Sequence, residues 1–175
     1  MKKKIFFLFM ILIFMSWTSQ KVQAQDFRVR TLPTQELLPS ASIHCLMQDA
    51  EGYLWYGAER AGFCRDNGYQ IDVFRPSDIS GVAESNTISS MSETKEGKIF
   101  IGTIYGLFML DKHNYQLNKT SITKDVINNL LVSRDGSVWI GTDKQFYQMD
   151  SLGQVKKTFV SKHKGKVVPV RSFYE

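Results

Sequence analysis

The chain has 175 residues, with 22 Lys+Arg against 17 Asp+Glu, two cysteines and 43% hydrophobic residues; this fits one ordinary domain and excludes global disorder and a disulfide-dense miniature scaffold. The net charge of +5 sits mostly at the N-terminus, where Lys2, Lys3, Lys4 and Lys21 share 24 residues with no acid and leave +1 for the rest. The basic character therefore belongs to a leader and gives no support to nucleic-acid binding.

Residues 1–24 read as a signal peptide. Lys2-Lys3-Lys4 is the positive segment, and residues 5–15 are an unbroken apolar run of eleven, short of the roughly 20 that cross a bilayer. Val22-Gln23-Ala24 places cleavage between Ala24 and Gln25. An uncleaved anchor extended by Trp17 is the alternative. No second apolar stretch of spanning length follows, so the expectation is an exported mature chain without a transmembrane helix. Residues 25–42 form a lead-in, in which alternating Phe27 and Val29 predict one short strand.

The body is a repeat, with units at 43–86, 87–125 and 126–165. Ile43, Ile88 and Ile127 each stand nine residues before a glycine (Gly52, Gly97, Gly136), and a second glycine follows five later (Gly57, Gly102, Gly141). An aromatic residue recurs between the two, as Trp55, Phe100 and Trp139. The units are 45 and 39 residues apart, and about 40–45 residues suits a four-stranded propeller blade. In the second unit the predicted strands are 87–93, 98–101, 107–110 and 115–119. The turns between them are Glu96-Gly97, residues 102–106 and residues 111–114. Asp66-Asn67-Gly68 and Ser151-Leu152-Gly153 are the third turns of the other units. No helical period of any length follows the leader.

The predicted fold class is all-β: propeller-type repeats in three four-stranded antiparallel blades, plus the start of a fourth at 166–175. Val170 falls 43 residues after Ile127, on the period. Closed propellers have at least four blades, so the expectation is an incomplete propeller with an open apolar face and unpaired strand edges.

Leu38-Pro39-Ser40 with Ile43, Gln48-Asp49 with Gly52-Tyr53-Leu54-Trp55-Tyr56-Gly57, and Gly102-Thr103-Ile104-Tyr105-Gly106-Leu107 together resemble the two-component regulator propeller repeat. The resemblance covers nearly all of the mature chain. It implies the periplasmic sensing part of a hybrid histidine kinase and response regulator, here a truncated fragment, with an oligosaccharide as ligand and transcription as output. The kinase, membrane helix and further domains of that family have no counterpart in these residues. The implied partners are the oligosaccharide and the rest of a hybrid sensor, or a second copy of the chain. Two departures stand out. The first unit has Ala58 after its second glycine and one extra residue before Gly62. The third has Gln145 where the second has Gly106, so Gln145 must avoid positive φ or accept strain.

Trp55, Phe100 and Trp139 are expected to pack between blades, since recurrence at one internal position favours a core role over a sugar platform. Ligand contacts are expected where the repeats differ, in the equivalent turns holding Glu59 and Arg60, Tyr105 beside Ile104, and Asp143 and Lys144. Cys45 and Cys64 lie on the first and third strands of one blade, about 9–10 Å apart across two strand spacings, beyond the roughly 7 Å that a disulfide spans. Two free, buried thiols follow. His44, His113 and His163 fall on different units at no metal spacing, so no metal site and no cofactor is read. No catalytic elbow, phosphate loop or kinase signature is present, and no catalytic residue is assigned. Lys156-Lys157 and Lys162-His163-Lys164-Gly165-Lys166 read as a solvated loop, and Asn118-Lys119-Thr120 as a coincidental glycosylation match. A periplasmic propeller enzyme of lyase or lactonase type, and an interaction module completed by another chain, are the competing readings.

Overall fold

The structure is a computed structural model that describes residues 31–174. The signal peptide, its cleavage point at Ala24-Gln25, the strand expected around Phe27 and Val29, and Glu175 lie outside the described residues.

Three four-stranded antiparallel sheets follow one another along the chain. The first holds β1 (Ile43–Gln48), β2 (Leu54–Ala58), β3 (Phe63–Asp66) and β4 (Ile71–Phe74). The second holds β5 (Ile88–Glu93), β6 (Lys98–Thr103), β7 (Gly106–Asp111) and β8 (Gln116–Lys119), and the third β9 (Ile127–Val132), β10 (Val138–Thr142), β11 (Gln145–Met149) and β12 (Val155–Val160). Strand order equals chain order in each sheet, so each is an up-and-down blade. β1 lies against β5 and β5 against β9, so the first strands meet at the inner edge.

The second strands show why the sheets stack. Successive side chains on a strand point to opposite faces. Ile99 and Ile101 pack with Trp55 and Phe63 between the first two blades, while Phe100 packs with Ile127, Val138, Ile140 and Met149 between the second and third. Both faces of β6 are buried, which is why it reads as an unbroken apolar run. At the opposite end, Glu96-Gly97 turns with Gly97 at φ 72°, a left-handed value that glycine adopts without steric cost.

Several expectations are refined. β6 runs through Gly102 to Thr103, because Thr103 pairs with both Ile88 and Gly106, and this narrows the turn to Ile104-Tyr105. β8 begins at Gln116, since Tyr115 has φ 56°. The connection from the first blade to the second carries one helical turn, α1 (Ser77–Ser80), and a 3-10 turn at Ala83–Asn86, with another at Gln35–Leu37. Such single turns leave no periodic trace in sequence. The basic stretch expected as a loop contains a hairpin, β13 (Lys162–His163) with β14 (Lys166–Val167). Its two-residue turn holds Lys164 and Gly165 at φ 48° and 78°, which suits the right-handed twist of paired strands. Residues 168–174 form no strand, although Val170 does occupy the place of a leading isoleucine, against Gly141 as Ile88 lies against Gly57 and Ile127 against Gly102; its N–H donates to Thr142 O at 3.0 Å.

Cys45 on β1 and Cys64 on β3 are free thiols with β2 between them, paired with Gly57 and Tyr56 respectively. Burial pushes each thiol up to about 11, from the ordinary 9.0.

Candidate functional site

In every blade the start of the first strand, the turn between the second and third strands and the connection onward lie at one end of the sheet. Backbone bonds stitch these ends into a rim. Gly62 N–H donates to Asn86 O and Gly106 N–H to Asp125 O, both at 2.9 Å. Ile104 N–H reaches Thr87 O at 3.2 Å, and Arg60 N–H reaches Thr87 Oγ1 at 3.3 Å.

The second and third turns share one clamp. Thr103 Oγ1 donates to Gly106 O and Thr142 Oγ1 to Gln145 O, each at 2.8 Å. Gln145 is not among the residues at positive φ, so the third turn keeps its clamp without the strain that the missing glycine threatened. The first blade lacks the threonine; there Ala58 N–H donates to Gly62 O at 2.9 Å, and the extra residue leaves Arg60 at φ 58°.

The same irregularity sits at the top of each first strand. Ile43 pairs with Ala58 and Cys45 with Gly57, which leaves His44 as the extra residue. Ser89 is skipped between Ile88–Thr103 and Ser90–Gly102, and Asn128 between Ile127–Thr142 and Asn129–Gly141. A β-bulge of this kind re-aims the side chain of the bulged strand. His44 Nε2 stands 4.0 Å from Glu59 Oε2, with both side chains partly exposed. Asn128 Nδ2 donates to Asp143 Oδ1 at 2.9 Å. In the second blade the turn position is Ile104, and the buried Ser89 Oγ has no hydrogen-bond partner among the described residues.

Three positions equivalent in register result: an exposed imidazole with carboxylate, a buried hydroxyl, and an exposed amide with carboxylate. The turn residues Glu59 and Asp143 were legible as candidates, but His44, Ser89 and Asn128 were not assigned to a ligand surface. A polar residue does follow the leading isoleucine in all three units, which was the available signal. Arg60, Tyr105 and Lys144 occupy the same rim on successive blades. Among the described residues, no hydrogen bond or ion pair joins the candidate residues of one blade to those of another. Tyr105 lines a cavity of about 270 Å³ behind the second turn. Among the described residues no group of His, Cys, Asp and Glu is placed to hold a metal ion.

The repeated aromatics lie away from the rim. Trp55 and Phe100 are fully buried between blades, and Trp55 Nε1 donates to Asp49 Oδ2 at 2.9 Å. Trp139 is only half-buried, on the far face of the third blade, with Phe146, Phe159 and Phe173 about it at centroid distances of 6.1–6.4 Å.

At the other end a buried ionic cluster joins the first two blades. Lys112 Nζ lies 3.0 Å from Asp49 Oδ2 and 2.7 Å from Glu93 Oε1. Burial pushes the Asp49 carboxyl up, but bonds from Trp55 and Lys112 outweigh it and hold the group below the usual carboxylate range. Burial disfavours the Lys112 cation, yet its two carboxylates raise its pKa above the lysine norm.

Three stacked up-and-down blades with a recurring turn clamp define a propeller-type repeat protein. Residues 37–60 match the two component regulator propeller family. Its fold is similar to the extracellular domain of a one component system from B. thetaiotaomicron (18% identity, 78% of this chain and 19% of that one, TM-score 0.60). It is also similar to the extracellular domain of a hybrid two component system of the same organism (20% identity, 76% and 18%, TM-score 0.55). Virginiamycin B lyase from Staphylococcus aureus shares the fold as well (13% identity, 74% and 45%, TM-score 0.60). The chain spans about a fifth of the two extracellular domains. None of the curated proteins compared with it matches.

Proposed function

We propose that this chain supplies propeller blades to the sensing part of a hybrid two-component regulator, acts in the periplasm after export, and takes an oligosaccharide as its ligand. The carrying observation is the rim, where the first and third blades present a polar residue, His44 and Asn128, through the same bulge that buries the Ser89 hydroxyl in the second. Sugar hydroxyls both donate and accept, and recognition of them needs acceptors and donors side by side. Glu59 and Asp143 supply acceptors, Asn128, Arg60 and Lys144 supply donors, and Tyr105 offers a flat ring. The regulator-propeller match over residues 37–60 supports a sensing role. The likeness to two extracellular domains supports an exported location.

The chain's own part in signalling is to bind. A ligand that contacts the rim more favourably in one arrangement of the sensor than in another shifts the population toward it. Output belongs to domains outside these residues. The half-buried face around Trp139 is where the two inner interfaces would predict a further blade, supplied by the rest of a hybrid sensor or by a second copy.

The experiment is calorimetric titration of the purified chain with a panel of neutral and acidic oligosaccharides. Binding should weaken roughly tenfold or more, about 1.4 kcal/mol, in Asn128→Ala and Glu59→Gln. No binding from the panel, or binding indifferent to both substitutions, contradicts the reading. The His44–Glu59 pair favours a second reading, a lyase-type enzyme with a rim base. Turnover of a bound oligosaccharide that is lost in His44→Ala would select it.

A further inference from the structure

Behind the second turn, the connection between the first two blades and the connection from the second to the third border a half-open cavity of about 270 Å³. Tyr105, Leu107, Phe108 and Ile122 give it aromatic and aliphatic walls, and Lys119 and Lys124 stand in its lining. None of its lining residues is acidic.

The two lysines differ from other lysines of the same blade. Lys98 is paired with Asp111, and Lys112 with Asp49 and Glu93. Lys119 and Lys124 have no carboxylate partner among the described residues. Their positions are fixed by backbone. Lys119 pairs with Phe108 across β7 and β8. Lys124 is held at φ 70°, a left-handed value that costs a non-glycine residue roughly 1–2 kcal/mol and needs support from its surroundings. That support is the pair of bonds on either side of it, Leu107 N–H to Ile122 O and Gly106 N–H to Asp125 O, both at 2.9 Å. A side chain at Gly106 would meet Ile122 O at 2.9 Å, so glycine is what lets the connection lie this close and border the cavity.

A cavity with an aromatic wall, an aliphatic floor, two unmatched cations and no acid selects a small ring that carries a negative charge. Its volume is just under the roughly 300–1,000 Å³ of sites for drug-sized ligands, which suits a single sugar unit. We infer that the cavity walled by Tyr105 and flanked by Lys119 and Lys124 binds one anionic sugar unit, a carboxylated or sulfated residue of a longer oligosaccharide. This rests on the oligosaccharide reading above and narrows it. The sugar face lies on the apolar wall, and the anion lies between the two ammonium groups.

The test is calorimetric titration of the chain with a galacturonate trisaccharide, a sulfated chondroitin disaccharide and neutral galactotriose. Measurements are made on the wild type, on Lys119→Gln/Lys124→Gln and on Tyr105→Ala, with thermal melting as a check on folding. The two lysines are exposed, so the double variant should melt as the wild type does. At least one anionic sugar should bind more tightly than galactotriose. Its affinity should fall roughly tenfold or more in the double variant and with added salt, as loss of charge-assisted bonds implies. Galactotriose should bind the double variant and the wild type alike. The galacturonate probe carries carboxylates alone and the chondroitin disaccharide a carboxylate and a sulfate, so comparing them shows whether a sulfate adds to binding. Equal binding of neutral and anionic sugars, or anionic binding indifferent to the double substitution, overturns the inference. If galactotriose binds through Asn128 while the anionic sugars do not bind, the oligosaccharide reading stands and this inference falls. If no sugar binds, both fall.

Discussion

A Cβ placed on Gly141 would stand 2.8 Å from the carbonyl oxygen of Val170 and 3.0 Å from its Cγ1. The same relationship joins Gly57 to Ile88 and Gly102 to Ile127, where the approaches to Cγ2 are 2.7 and 2.6 Å. The second glycine of each repeat is therefore the seat of the next unit's leading aliphatic residue. Val170 takes that seat on the third blade, although residues 168–174 pair with no strand.

Gly102→Ala is the direct consequence. Its new methyl would also meet Ser90 Oγ at 2.8 Å, and overpacking of a tight site costs roughly 1–3 kcal/mol. Thermal or urea unfolding should show a loss in that range. A variant as stable as the wild type would contradict the seating.

Trp55 and Trp139 should differ although they share a repeat position. Truncating a buried large aromatic costs about 3–5 kcal/mol, and Trp55 is fully buried with its indole N–H bonded to Asp49. Trp139 is half-buried. Trp55→Ala should therefore destabilise the chain clearly more than Trp139→Ala in parallel urea titrations. Equal losses would mean that the third blade's far face is sealed as the inner interfaces are.

Much of the blade architecture was legible in sequence, because the acid-glycine turn, the aromatic and the second glycine each do one mechanical task per unit. The turn glycines adopt positive φ, the aromatics fill the inter-blade layer, and the second glycines admit the next strand. The site was less legible. Glu59 and Asp143 stood out because the turns differ between units. The bulges that re-aim His44, Ser89 and Asn128 depend on pairing register, which no residue type marks. The cavity beside Tyr105 depends on two connections without sequence periodicity. The Lys164-Gly165 hairpin was hidden because its strands are only two residues long and lack an apolar face.

The ionic cluster makes stability depend on acid. The Asp49 carboxyl is held below its ordinary 3.8. Its contribution is thus fully present above that value and is lost as pH falls through the lower, folded-state value. Lys112→Met leaves Asp49 and Glu93 buried without their cation, a change that costs about 3–5 kcal/mol. The variant should melt lower at pH 7, and its deficit against the wild type should narrow in acid, because what Lys112 contributes through Asp49 is present only while that carboxyl is ionised. A deficit that does not change with pH would show that Lys112 does not govern that carboxyl.

The thiols should be slow to react. Burial holds both Cys45 and Cys64 up at about 11, so little thiolate exists at pH 8. Iodoacetamide should label the native chain far more slowly than the chain unfolded in urea. A mass increase of two hydrogens on reduction would instead reveal a disulfide that the interposed β2 forbids.

The central claim is that these blades belong to a sensor. It is tested most directly by sequencing the genomic DNA beyond codon 175. The account predicts further repeats of the acid-glycine, aromatic and glycine pattern, then a membrane helix and a histidine kinase. A stop followed by unrelated sequence would contradict it.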